Sequence, residues 1–268
     1  MKIAFSTLGC PGWSWNEMTA TAKDFGFDGI EIRGIGNELC IPKAKPFLEG
    51  NLEKTMSGLS RMNLEIPCLT SSCFLFEKPS SADYINEAKQ YIDLAEKIGC
   101  RYIRVLGDSG PEPRDEVDDN FVAQNLLVLG RYAEGKKVIV LIETNGAFSD
   151  SKRLLRLMEK VDNPNTGVLW DIHHPFRFMN EPVKETYNNL KKYIQYVHIK
   201  DSVIEEGKVK YKMMGSGDIP VEESLLLLKS NGYKGYVSLE WVKRWCLELE
   251  EPGIVFSHFA NYVRKIIC

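Results

Sequence analysis

Four side chains of the kinds that bind metal ions or transfer protons stand at the ends of four short apolar segments. Three are carboxylates and one is an imidazole, and each preceding segment has the apolar character of a buried parallel strand. The four residues are Glu143, Asp171, His198 and Glu240. Carboxylates brought into one space repel one another unless a cation lies between them. If the fold makes these residues converge, the sequence therefore predicts a metal site.

The elements that must position these residues alternate regularly between strand and helix patterns. Eight strand patterns, each followed by a helical pattern, divide the 268 residues into units of about 33 residues with no Pro/Ser-rich linker between them. This alternation predicts a parallel sheet with right-handed crossovers, and eight units predict an α/β fold, the (β/α)8 TIM barrel, with residues 1–268 as one domain. The predicted strands are residues 3–7, 28–33, 64–69, 101–106, 137–143, 166–171, 195–200 and 235–240.

The predicted barrel explains why the four residues should meet. They come from strands five, six, seven and eight, which are consecutive neighbours, and barrel active sites lie at the carboxyl ends of the strands. Three carboxylates with one imidazole suit Mn²⁺, Co²⁺, Mg²⁺ or Zn²⁺, and the donor set alone does not choose among them. An open doubly wound sheet is the alternative fold, but residues 8–12 lack the Gly-x-Gly-x-x-Gly turn expected after its first strand.

Several residues near the predicted metal site could contact a ligand. Lys200 follows the strand-seven ligand by two residues and shares its face, so we expect it in the site. His173 and His174 should point to opposite sides of an extended chain, and we expect His174 to face the site. Arg104 could point into the barrel mouth or form a buried ion pair with Glu31. The basic stretch at residues 207–212 is expected to be a solvated turn.

Composition argues against several classes of partner. The net charge of -3 and pI of about 5.9 leave no basic field for nucleic acid. No apolar segment approaches the roughly 20 residues of a membrane helix, and the N-terminus does not have the pattern of a signal peptide. The seven scattered Cys lack any Cys-x-x-Cys pair, which indicates a reducing, cytoplasmic location.

Aromatic residues cluster in the predicted loops at the carboxyl ends of the strands. They could wall a ligand pocket, form the subunit interface of a homo-oligomer, or simply pack the loops. The sequence leaves all three open. The residues are Trp13, Trp15, Phe74, Phe76, Trp241 and Trp245.

Short motifs in a fixed order make the chain resemble the sugar isomerase/epimerase family that shares the xylose isomerase-like barrel. Each motif is weak alone, but their order and spacing together are specific. Two departures leave the substrate open. The family often has His after a Glu-Asn pair on strand five, whereas residues 143–146 read Glu-Thr-Asn-Gly, and no Arg closely follows the strand-seven His. The motifs lie at residues 8–13, 29–32, 142–146, 167–174, 198–201, 215–218 and 238–241.

The resemblance implies roles for the candidate residues and a small-molecule carbohydrate substrate. Glu143, Asp171, His198 and Glu240 would bind one divalent ion, and the two glutamates would also transfer protons. His174 and Lys200 would contact the substrate, and Arg104 joins them as a candidate for the same role.

The chemistry that such a site would perform is proton abstraction next to a carbonyl, with the ion stabilising the enediolate. An epimerase or isomerase is the expected enzyme, and a dehydratase of an inosose-like substrate is the alternative. A nuclease of the apurinic-endonuclease type needs more histidines than the four present. A non-catalytic sugar-binding barrel would leave a complete ligand set unused.

Overall fold

The computed structural model describes residues 1–114 and 116–267, and eight of its strands form the predicted barrel. The barrel strands are β1 (Lys2–Ser6), β2 (Gly29–Glu31), β3 (Cys68–Phe74), β4 (Tyr102–Leu106), β5 (Ile139–Glu143), β6 (Thr166–Asp171), β7 (Ile194–Ile199) and β10 (Tyr236–Leu239). All pairings between neighbouring barrel strands are parallel, in the order β2-β1-β10-β7-β6-β5-β4-β3. Bridges from Gly29 to Glu65 and from Ile32 to Leu69 connect β2 with the β3 segment and close the ring.

Amphipathic helices surround the barrel. In the helix at Ser151–Val161, buried Leu154, Leu157, Met158 and Val161 follow the helical period and form one apolar stripe within the hydrophobic core. No helix in the described ranges has both the length and the apolar character needed to cross a bilayer. The helices are α1 (Trp15–Asp24), α2 (Glu49–Met62), α3 (Ser81–Ile98), α4 (Asp119–Tyr132), α5 (Ser151–Val161), α6 (His173–Met179), α7 (Val183–Leu190), α8 (Val221–Ser230) and α9 (Pro252–Ile267).

The third strand begins later than the sequence predicted. The pattern at 64–69 favoured a strand there, but β3 runs from Cys68 to Phe74. Its polar residues made the second half look like a loop, yet Thr70 and Ser71 are buried. Their hydroxyl groups donate to main-chain carbonyls, with Ser71 Oγ 2.7 Å from the carbonyl oxygen of Arg104. A buried polar side chain with a main-chain partner is compatible with a central strand.

The stretch predicted as a solvated turn belongs to a hairpin instead. β8 (Asp201–Glu205) pairs antiparallel with β9 (Lys208–Lys212). Glu206 and Gly207 both adopt positive φ in the turn, as a two-residue hairpin turn requires. Asp201 anchors the base of the hairpin, because its carboxylate accepts hydrogen bonds from the backbone N–H of Gly215 and Gly217.

The barrel interior is built in layers, and this layering positions the polar residues. A small apolar cluster inside the barrel includes Leu141, Leu169 and Tyr196. Side chains alternate across a strand, so the residue two positions later faces the same interior one layer closer to the carboxyl end. Those next residues are Glu143, Asp171 and His198.

Candidate metal centre

His198 Nδ1 lies among three carboxylates at the carboxyl end of the barrel. It is 3.5 Å from Glu240 Oε1, 3.8 Å from Glu143 Oε1 and 4.0 Å from Asp171 Oδ2. All four side chains are buried, and one potential ligand atom from each lies within 4.8 Å of the others. The structure thus brings together all four residues that the sequence predicted as ligands. We call these four residues the acidic cluster.

The two nitrogens of His198 have different environments. Nε2 lies 2.9 Å from Glu31 Oε2, a distance at which its N–H donates to the carboxylate. Nδ1 is buried and has no hydrogen-bond partner among the described residues. A histidine that binds a metal commonly donates its other N–H to a carboxylate, which orients the ring and fixes the tautomer. The residues present therefore fit a divalent cation.

Neighbouring charges favour positive charge on this imidazole. Burial alone would lower the pKa of His198, but Glu31 and Glu240 outweigh it and raise the pKa well above its ordinary value. The raised pKa reflects an excess of carboxylates around the ring, which a bound cation would also neutralise.

Both glutamates of the acidic cluster direct one oxygen to His198 and the other to a cation. Glu143 Oε2 lies 3.0 Å from Arg104 Nε, and Glu240 Oε2 accepts a hydrogen bond from Lys200 Nζ. Burial alone would raise the pKa of each carboxyl. Arg104 outweighs it for Glu143, and Lys200 with His198 outweighs it for Glu240, so both pKa values lie below their usual range.

Lys200 and Arg104 both reach the barrel mouth. Lys200 is fully buried and also donates to Asp171, so it bridges two members of the acidic cluster. The alternative ion pair between Arg104 and Glu31 does not form: Arg104 pairs with Glu143, while Glu31 accepts from His198. Arg104 is held in this position because it also donates to the carbonyl of Ser71, at 2.8 Å.

The chain after β6 is helical, so the extended conformation in which His173 and His174 would point to opposite sides is not adopted. Helix α6 begins at His173, whose backbone N–H donates to Asp171 Oδ1 at 2.9 Å. His174 Nδ1 lies 2.9 Å from the carbonyl oxygen of Thr144, and its Nε2 lies 3.8 Å from Asp171 Oδ2. His174 also lines a cavity at the barrel mouth. His173 turns toward the hairpin, where its Nε2 lies 2.8 Å from Ser202 Oγ.

A cavity of about 410 Å³ opens over the acidic cluster, and we call it the mouth cavity. Its lining includes residues that the sequence analysis did not select for the site: Arg33, Asn145 and Tyr211. Trp245 also lines the cavity. For this residue the sequence had allowed a ligand pocket, a subunit interface or loop packing. A signal for Arg33 existed, because it follows Glu31 by two residues beyond a short buried strand. No sequence signal indicated Tyr211, because it lies in β9, where the sequence predicted a solvated turn.

Comparisons with known proteins agree with this fold. The model of the xylose isomerase-like TIM barrel family matches residues 19–257. A fructoselysine 3-epimerase from Shigella flexneri is 22% identical, over 100% of this chain and 98% of the relative.

Two solved structures share the fold over nearly the whole chain. A probable 3-DHS dehydratase from Bacillus anthracis, involved in petrobactin synthesis, has a TM-score of 0.80 at 17% identity, covering 98% of this chain and 99% of that protein. A xylose isomerase-like TIM barrel protein from Mycobacterium smegmatis, in complex with magnesium, has a TM-score of 0.77 at 16% identity, covering 99% and 96%.

Proposed function

The chain belongs to the xylose isomerase-like TIM barrel family, and on that premise we propose that it is a divalent-metal-dependent isomerase or epimerase. Its substrate would be a sugar, a keto-sugar or a sugar derivative. The observation that carries the proposal is the unpartnered Nδ1 of His198, buried among three carboxylates while Nε2 is held by Glu31. A fructoselysine 3-epimerase among the relatives supports the substrate class.

Glu143, Asp171, His198 and Glu240 would hold one Mn²⁺, Co²⁺, Mg²⁺ or Zn²⁺ ion. The magnesium complex of a protein with the same fold supports a divalent ion. When bound, such an ion supplies Lewis-acid stabilisation of the negative charge that develops on substrate oxygens.

Glu143 and Glu240 would transfer the protons. They come from strands that flank β6 and β7, so the chain offers a carboxylate on each side of Asp171 and His198. A carboxylate held by a cation is a weak base, because the cation stabilises its ionised form. Substrate contacts that draw Lys200 from Glu240, or Arg104 from Glu143, would make that glutamate a stronger base.

Two cations and one imidazole that face the mouth cavity would contact the substrate. Lys200 and Arg104 can donate to hydroxyl and carbonyl oxygens once they leave the glutamates. His174 has Nε2 directed toward Asp171 and the cavity, because Nδ1 is held by the carbonyl of Thr144. Its pKa is lowered by burial, so at neutral pH it is uncharged and can act as a hydrogen-bond acceptor at Nε2.

A dehydratase is the second candidate, because one protein of the same fold is named a probable 3-DHS dehydratase. It would begin with the same proton abstraction next to a carbonyl. The two reactions would then differ in whether the proton returns or a neighbouring hydroxyl leaves.

Turnover in heavy water tests the proposal and separates the two reactions. Metal-loaded protein would be assayed with ketoses, aldoses, inososes and fructoselysine. We expect an epimer or isomer with deuterium at the carbon next to the carbonyl, whereas a dehydratase would give water loss and a conjugated carbonyl absorbance. Turnover without solvent label would indicate hydride transfer and contradict the two-glutamate mechanism. Protein that binds no divalent ion would contradict the metal dependence.

A further inference from the structure

Arg33 is a buried cation in the mouth cavity that forms no ion pair within the described part of the chain. It is 7% exposed, and its backbone N–H donates to Thr7 Oγ1. Its Nη2 donates to Ser72 Oγ at 2.6 Å, whereas Nη1 is buried and has no hydrogen-bond partner among the residues that the structure describes. Across residues 1–114 and 116–267, no carboxylate oxygen lies within 4.0 Å of this guanidinium.

The other two buried cations of the mouth differ from Arg33 in this respect. Arg104 pairs with Glu143, and Lys200 pairs with Asp171 and Glu240. A guanidinium offers five N–H donors, and burying it without a counter-charge is costly. Burial and nearby Arg104 lower the pKa of Arg33 to about 10, so it remains charged at neutral pH. This arrangement suits a residue whose partner arrives with a ligand.

The balance of charge in the mouth favours an anionic ligand. Four carboxylates stand against three fixed cations. A bound divalent ion with neutral His198 among its ligands would therefore leave an excess of one positive charge. An anionic substrate would neutralise that excess, and a neutral sugar would not. The carboxylates are Glu31, Glu143, Asp171 and Glu240, and the cations are Arg33, Arg104 and Lys200.

Two side chains contact the guanidinium of Arg33. Ser72 accepts a hydrogen bond from Nη2. The ring of Trp245, which is 57% exposed, has its centroid 5.9 Å from the guanidinium carbon and also lines the mouth cavity. A planar guanidinium held in this way can bind a carboxylate or a phosphate through two parallel hydrogen bonds.

We propose that Arg33 binds an anionic group of the substrate, which would be a polyhydroxy carbonyl compound that carries a carboxylate or a phosphate. The carbonyl half of this assignment rests on the proposed function. The anionic half rests on the environment of Arg33. Arg33 would act as a specificity residue, and the acidic cluster would act on the carbonyl end of the same molecule.

Binding of three small probes with one carbon skeleton tests this proposal without turnover. Glycerol, glycerate and glycerol 3-phosphate would be titrated into magnesium-loaded protein by calorimetry. We expect at least one of the anions to bind 10-fold or more tightly than glycerol. Preference for glycerate would indicate a carboxylate substrate, and preference for glycerol 3-phosphate a phosphorylated one. Equal binding of all three probes, or no binding of either anion, would overturn the proposal.

Variants separate Arg33 from the metal ion as the source of any preference. Arg33→Gln should weaken binding of the preferred anion about 10- to 100-fold and leave magnesium content unchanged. Arg33→Lys should retain part of the affinity, because it keeps the charge but not the planar donor pair. Arg156→Gln, which alters an exposed arginine on α5, is the matched control. An anion preference that survives Arg33→Gln would assign binding to the metal ion and refute the role of Arg33.

The two proposals fail in different ways. Tight anion binding that depends on Arg33, with no deuterium exchange into any anionic or neutral sugar, would contradict the proposed reaction alone. Deuterium exchange into neutral sugars, with no anion preference, would contradict the role of Arg33 alone.

Discussion

At the residue scale, His198 connects the predicted metal site with Glu31, a residue that the sequence did not assign to the site. The ligand candidates could be predicted because each follows an apolar strand pattern on the interior face. Glu31 could not be assigned, since an acid at the end of one short strand fits a cap or a surface charge equally well. Only the three-dimensional pairing of Glu31 with His198 Nε2 distinguishes these roles.

Glu31 provides the first residue-scale prediction. Glu31→Gln keeps the size of the side chain but replaces the charged acceptor of the His198 N–H. Loss of such a partner weakens metal binding about 10- to 100-fold. We expect this loss in calorimetric titrations with Mn²⁺, with the fold retained by circular dichroism. Glu223→Gln, at an exposed position on α8, should bind as the wild type does. Unchanged affinity in Glu31→Gln would show that the contact does not serve metal binding.

The proposed proton-transfer pair gives a second prediction. Glu143→Gln and Glu240→Gln remove the carboxylate base while keeping the side-chain shape. At saturating metal each should lower turnover by about two to four orders of magnitude. The control for each is Glu223→Gln, assayed under the same conditions. A variant that kept turnover within about threefold of the wild type would exclude its glutamate from proton transfer.

At the element scale, the predicted alternation of strands and helices was confirmed, but polar segments were misassigned. The third strand was placed too early because Thr70 and Ser71 resemble loop residues until their main-chain partners are known. The hairpin at 201–212 was missed because its basic residues are solvated on a two-stranded element outside the barrel. Helix α6 was missed because Asp171 starts it with a local hydrogen bond that periodicity does not reveal.

The loop after β5 supports a prediction at this scale. Gly146 has φ of 55°, and a Cβ atom there would lie 2.5 Å from side-chain atoms of Asp108. Asp108 is fully buried and accepts the backbone N–H of Ala147, which ties the loops after β4 and β5 together next to Glu143. Gly146→Ala should therefore lower the free energy of unfolding by about 1–3 kcal/mol, measured by urea denaturation.

Gly58→Ala is the matched control for Gly146→Ala. Gly58 lies within α2, and a Cβ atom there would meet nothing within 4 Å. The substitution should stabilise the protein by about 0.5–1 kcal/mol, because alanine is the better helix former. If both variants lost similar stability, the contact with Asp108 would not explain the requirement for glycine at 146.

At the scale of the whole molecule, the barrel follows from the number and order of the units, so the sequence sufficed for it. Side-chain pairing in the mouth did not follow in the same way. The sequence allowed Arg104 to point into the mouth or to pair with Glu31, and only the three-dimensional structure shows its ion pair with Glu143. Arg33 follows Glu31 by two residues, so its position at the mouth could be inferred from the strand pattern. Whether it has a counter-ion could not be inferred, because that depends on the side chains of every element around the mouth.

The acidic cluster also contributes to the stability of the whole barrel. Asp171 accepts a hydrogen bond from buried Lys200, so Asp171→Ala would leave part of the ammonium charge without a partner. Removing one member of a buried ion pair costs about 3–5 kcal/mol. Because Glu240 still contacts Lys200, we expect a loss toward the lower end of this range in metal-free protein. Asp171→Asn, which keeps an acceptor oxygen, should lose less.

Metal binding should stabilise the folded barrel as a whole, because its ligands come from four strands that separate on unfolding. An ion that binds only the folded state stabilises it by about 2.7 kcal/mol at a concentration 100 times its Kd. We expect Mn²⁺ to raise the unfolding midpoint of the wild type and chelator to reverse the rise. His198→Ala should abolish this rise, whatever its own stability. His258→Ala changes a histidine of α9 that bonds to the carbonyl of Met214, so it should retain the rise even if it lowers the midpoint. A metal-induced rise of equal size in His198→Ala would place the ion outside the acidic cluster.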